Sequence, residues 1–157
     1  MRGFRRFPTR LLVVAATIVS LTALAFAPSV LASSGSASSE RSGHLKVTKE
    51  CSQYTGLADS FCTIVFSNLS AITRGSRVVY LQAPGAALDS DVVLVVGPGN
   101  FAIGHVHLPF PVGPGLVTFS GGIGKFANFH ARVVVTPDSS IAKGWFWNGT
   151  YSIGEDD

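Results

Sequence analysis

The sequence predicts an all-β domain of eight short strands, antiparallel, arranged as a barrel or a sandwich. Three observations carry this. Short β-type runs recur along the chain, nearly all separated by Gly or Pro. No helical periodicity follows residue 32. One run alternates cleanly: Ala127, Phe129, Ala131, Val133 and Val135 share one face, and Phe126, Asn128, His130, Arg132 and Val134 share the other. The Gly/Pro punctuation favours hairpin-connected, up-and-down strands. A barrel of about eight strands has room for packed side chains or one small ligand.

The first 32 residues read as a secretory signal peptide. A basic start (Arg2, Arg5, Arg6, Arg10) precedes an apolar run from Leu11 to Ala27, and Val30-Leu31-Ala32 suits a cleavage site. An uncleaved anchor is the alternative, with an apolar run near the lower limit for spanning. Residues 33–43 begin Ser33-Ser34-Gly35-Ser36 and read as a flexible Ser-rich linker. The barrel domain is expected over 44–153, followed by an acidic tail at 154–157. Four of the twelve Lys and Arg fall in the leader and all nine Asp and Glu lie after it, so the exported chain would carry 12 − 4 = 8 basic and 9 acidic groups. That balance gives no basic field for nucleic acid and no attraction to an acidic membrane once the leader is removed. Secretion to the extracellular space is the expected destination.

The strands are expected as follows. His44–Thr48 is the first. Cys51 and Cys62 bracket a polar loop and, as the two cysteines of an exported chain, are expected to pair. Phe61–Ser67 is the second, with Cys62, Ile64 and Phe66 on one face. Arg77–Gln82 is the third, ended by Pro84-Gly85. Asp91–Val96 is the fourth; it is apolar on both faces, which places it at the centre of a sandwich or against a neighbouring subunit, and leaves a homo-oligomer open. Phe101–Leu108, Leu116–Ser120 and Lys125–Thr136 follow, and Ile141–Ile153 carries the eighth. Between the sixth and seventh, Gly121-Gly122-Ile123-Gly124 reads as a sharp turn, because glycine reaches φ > 0 without steric cost.

Several motifs reduce to turns or strand faces. Gly121 to Lys125 lacks the leading Gly and following helix of a phosphate loop, and Gly97-Pro98-Gly99 lacks the helix and acidic residue of a dinucleotide site. His105 and His107 share a strand face and Gly99 stands six positions before His105, which resembles the first cupin motif, but the Glu of that motif is missing. His130 could add a third ligand only from a neighbouring strand. No metal and no cofactor are therefore expected. Asn68-Leu69-Ser70 and Asn148-Gly149-Thr150 match the glycosylation pattern. Trp145, Trp147 and Tyr151 form an aromatic stripe that plugs a lumen or lines a pocket. Together with Tyr80, Gln82 and His105 they are the candidate lumen residues. No Ser/His/acid set stands out, and no catalytic residue is assigned.

The segment Phe119-Ser120-Gly121-Gly122-Ile123-Gly124-Lys125-Phe126, followed by Phe129-His130-Ala131, resembles the Gly-rich hairpin of the allene oxide cyclase and dirigent barrel superfamily. The chain looks most like the secreted bacterial allene oxide cyclase barrel-like proteins. Further support comes from Phe61-Cys62-Thr63-Ile64, Val78-Val79-Tyr80-Leu81-Gln82, Ser90-Asp91-Val92-Val93-Leu94 and Trp147-Asn148-Gly149-Thr150-Tyr151. The resemblance implies an eight-stranded antiparallel barrel with a lumen. It also implies two functions: a secreted barrel that binds a small apolar ligand or acts as a non-catalytic scaffold, or an isomerase or cyclase acting on a lipid-like or phenolic substrate.

Overall fold

Eight strands close into one antiparallel barrel in the computed structural model, which describes residues 41–111 and 113–154. In chain order they are β1 (Arg41–Glu50), β2 (Phe61–Ser67), β3 (Arg77–Tyr80), β4 (Ala87–Val95), β5 (Phe101–Pro109), β6 (Gly115–Ile123), β7 (Phe129–Asp138) and β8 (Gly144–Ile153). Each pairs with its sequence neighbour, and β1 pairs with β8 from Arg41↔Ile153 to Glu50↔Gly144. Closure leaves no unpaired strand edge and decides between barrel and sandwich. The expected leader, linker residues 33–40 and residues 155–157 lie outside the described residues.

The alternation on β7 is realised as expected. Phe129, Ala131, Val133 and Val135 are buried inside, and His130, Arg132 and Val134 face out. The inside of β5 is Ala102, Gly104, Val106 and Leu108, and the inside of β4 is Leu88, Ser90, Val92 and Leu94. The outward side of β4 is mixed, with Asp89 and Asp91 toward one end and Val93 and Val95 toward the other.

Most strand bounds shift by a few residues from expectation, and three differences have clear local reasons. Residues 41–43, expected in the linker, are strand because they complete the ladder to Ser152 and Tyr151 on β8. Gly121 and Gly122 belong to β6; the reversal is made by a 3-10 turn, Gly124–Phe126, whose Phe126 swings into the lumen. Gly122 is needed for close approach, since a Cβ there would overlap the Phe101 carbonyl oxygen, whereas Gly124 sits at φ +61. Phe66 does not join Cys62 and Ile64 inside. Thr48 pairs with Phe66 but Lys49 pairs with Ile64, so Val65 is an extra residue that turns Phe66 outward.

Candidate functional site

Lys49 lies on the inward side of β1, following Leu45 and Val47, and is 3% exposed. The β1–β8 register sets it beside Trp145, and the bulge in β2 sets it beside Ile64. Its Nζ donates to Tyr80 Oη and lies 3.9 Å from Cys62 Sγ. It also sits 5.0 Å from the Tyr80 ring centroid and 5.1 Å from that of Trp147. Among the described residues no carboxylate comes within ion-pair distance of it.

Magnitudes decide its charge. Desolvating an ammonium costs several kcal/mol even after relaxation. Cation–π contacts return about 2 kcal/mol when desolvated, and a hydrogen bond to a charged group about 1.5–3 kcal/mol. Cost and return are of the same order, so the ammonium loses most of its usual advantage, and burial lowers the Lys49 pKa from 10.5 to about 7. Tyr80, 2% exposed, moves the other way: burial first, then the proximity of Tyr54, raises its phenol well above the usual range. At neutral pH the pair is thus an uncharged proton donor beside an amine that is about half neutral.

The amine faces a cavity of about 90 Å³ between Tyr54, Tyr80, Leu88, Val106, Leu108, Phe110, Val135 and Trp145, with the disulfide Cys51–Cys62 in its wall. The β1–β2 loop, residues 51–60, carries Tyr54 over this end, where its ring meets Tyr80 edge-on at 4.9 Å. Burial raises the Tyr54 phenol as well. Two buried polar atoms have no hydrogen-bond partner among the described residues: Tyr54 Oη and Trp147 Nε1. An orphaned buried donor costs about 1–3 kcal/mol and needs a reason. A larger concavity, about 670 Å³, lies on the outer face among His44, Thr118, His130, Arg132 and Thr150. It is open and holds no buried titratable group, so the enclosed cavity is the better candidate.

The expected lumen set divides. Tyr80, Trp145 and Trp147 converge around Lys49. Tyr151 lies on the same side of β8 but toward the far end, near Phe129. Gln82 and His105 are corrected: both are exposed. Strand β3 ends at Tyr80, so Gln82 leaves the barrel wall and holds the edge of β4, its side-chain oxygen accepting from Asp91 N. The small inward residues Ala102 and Gly104 put His105 and His107 on the outer face of β5. There His105 meets Asp89 at 2.9 Å and Asp91 at 3.0 Å, and His107 meets Asp89 at 3.0 Å. The hydrogen bond to Asp91, then the Asp89 charge, raises the His105 pKa. His130 does not join them, because β6 separates β7 from β5. Among the described residues no group of three or more His, Cys, Asp or Glu converges on a metal position.

Lys49 itself escapes the sequence reading, because a lysine at a strand end reads as solvent-facing. The available signal is the run Leu45, Val47, Lys49: extending the strand by two residues places the amine on the apolar side. Fold and site together define a small closed antiparallel barrel with an unpaired lysine buried at one end. Comparison with protein-family models, with curated proteins and with solved structures finds no match. Among the described residues no helix is long and apolar enough to cross a membrane.

Proposed function

We propose that the chain is an exported barrel that binds a small, mainly apolar molecule by its polar end at Lys49 and Tyr80. The observation that supports this is Lys49. An apolar side chain would fill its place at lower cost, yet the fold keeps a buried amine with no carboxylate, facing a cavity. The unpartnered Tyr54 hydroxyl adds a second polar contact at the same end. Export is supported by the leader and by the Cys51–Cys62 disulfide. Size favours a short ligand, since the cavity measures about 90 Å³.

The test is tryptophan fluorescence during titration with butanol and butanoate. Trp145 forms the cavity wall and Trp147 lies against Nζ, so a bound ligand should quench saturably. Loss of the response in Lys49→Met that still folds supports the site. No response to either compound removes the binding reading and leaves a non-catalytic scaffold.

The sequence resemblance to allene oxide cyclase and dirigent barrels offers a second reading, an isomerase or cyclase. The buried Lys49–Tyr80 pair favours it, since it joins a proton acceptor and a proton donor inside a lumen. A lipid-like or phenolic substrate far exceeds the cavity, so this reading requires the 51–60 loop to move aside. Product formed above the uncatalysed rate is its test.

A further inference from the structure

We propose that Lys49 captures short aliphatic aldehydes covalently and reversibly, as an imine on Nζ, with Tyr80 as the proton shuttle. This rests on the binding site assigned above and adds its chemistry.

Four observations carry it. The amine faces an enclosed cavity instead of bulk water. Among the described residues no carboxylate holds it as a structural cation. Tyr80 Oη is already in hydrogen-bond contact with Nζ, so a proton donor stands where a carbonyl oxygen would develop charge. Tyr54 lines the same cavity, and its buried Oη, without a hydrogen-bond partner among the described residues, is available to the oxygen that leaves. The depressed basicity of the amine agrees with this, because only the neutral form is nucleophilic. The cavity walls also choose the ligand class. A carboxylate would bring an unpaired charge out of water beside the neutral amine, whereas an aldehyde enters an apolar pocket uncharged.

The chemistry balances without a co-reactant. The Nζ lone pair attacks the carbonyl carbon, a C–N bond forms, and the C=O π pair moves to oxygen. Tyr80 gives its proton to that oxygen as an Nζ proton returns to Tyr80, leaving a neutral carbinolamine. The nitrogen lone pair then expels the hydroxyl, which leaves with the second Nζ proton as water. Aldehyde and amine become imine and water, with no change of oxidation state. The apolar walls limit the water available for hydrolysis, and reversal releases the aldehyde intact.

The experiment incubates the protein with butanal and sodium cyanoborohydride at about pH 7 and maps alkylated lysines by mass spectrometry. Alkylation of Lys49 should exceed that of the exposed Lys46, Lys125 and Lys143 by on the order of tenfold or more, because the cavity and Tyr80 hold the carbonyl against Nζ. Tyr80→Phe should slow the trapping of Lys49 several-fold and leave the exposed lysines unchanged. Dodecanal should not reach Lys49. Alkylation of Lys49 no faster than that of the exposed lysines overturns the proposal. If butanol quenches tryptophan fluorescence while butanal is not trapped, the covalent step falls and the binding site stands. If neither occurs, both fall. Trapping of dodecanal as readily as butanal overturns the assignment to short aldehydes.

Discussion

The two ends of the barrel use the same inward alternation with different residues. Where β1 begins, the lumen is filled by Phe119, Phe126 and Phe129, with Trp147 reaching in from mid-barrel. The ring centroids stand 5.2 Å apart for Phe126–Phe129, 5.7 Å for Phe119–Phe129 and 5.8 Å for Phe119–Trp147. Where β1 ends, the lumen holds Lys49, Tyr80, Tyr54 and the disulfide around a cavity. Both ends are buried; the amine and one orphaned hydroxyl lie at the second, while the Trp147 indole N–H, between the two, also has no partner among the described residues. Packed aromatic area of this kind stabilises by about 1.5–3 kcal/mol per side chain, while an unpaired amine and an orphaned hydroxyl cost comparable amounts. The difference teaches that the plugged end holds the barrel closed, and so permits the other end to carry groups that a stability-driven sequence would replace.

Replacing Phe129 at one end and Lys49 at the other should therefore have opposite signs. Phe129→Ala should lose the most, about 3–5 kcal/mol, because Phe129 is fully buried and touches both neighbouring rings. Urea unfolding measures it; a loss under about 1 kcal/mol would mean the plug is not packed as described. Reducing the disulfide or replacing Cys51 with Ala should cost about 3 kcal/mol, from the short loop it closes between residues 51 and 62. A peptide map with two free thiols in the native protein would remove the basis of that expectation.

Lys49→Met should instead stabilise the protein, by about 1–4 kcal/mol at neutral pH, as an apolar chain replaces an unpaired amine. The sign of the pH dependence follows from the lowered pKa. Below about 7 the lysine is protonated in folded and unfolded chains alike, and the burial cost is fully present. Between about 7 and 10.5 the unfolded chain binds the extra proton, so wild-type stability rises with pH. The slope approaches about 1.4 kcal/mol per pH unit and should vanish in Lys49→Met. The smallest effect belongs to the outer face. Asp91→Asn should lower the raised His105 pKa, as followed by imidazole NMR, with little change in stability because the group is exposed. Any stability that pair adds is present below the ordinary value of 6.5 and fades as pH rises through the raised one.

The barrel was legible wherever apolar alternation was strong. The bounds of β2 match Phe61–Ser67 and the inward side of β7 matches the alternation from Phe129 to Val135, while Phe126, expected on the outer face, is buried by the 3-10 turn. Boundaries were less legible where pairing, not composition, extends a strand, as at 41–43 and at Gly121–Gly122. The site was legible only in part. Tyr80 and the Trp145–Trp147 stripe signalled it, because inward aromatics are visible in the alternation. His105 misled, because Ala102 and Gly104 give the inward side of β5 a weak apolar signal. Lys49 was hidden because its burial depends on Trp145, nearly a hundred residues away, and on a bulge in β2. The cavity size depends on packing that no local pattern encodes.

The central claim is that the Lys49 amine is buried in the lumen with lowered basicity, and the most direct measurement is the titration of Lys49 itself. Lysine labelled with ¹³C at Cε, assigned by its loss in Lys49→Met, reports the protonation of Nζ by NMR. The account predicts a midpoint near 7. A midpoint near the ordinary 10.5 would show an ammonium that remains solvated or paired, and would contradict both the buried site and the chemistry assigned to it.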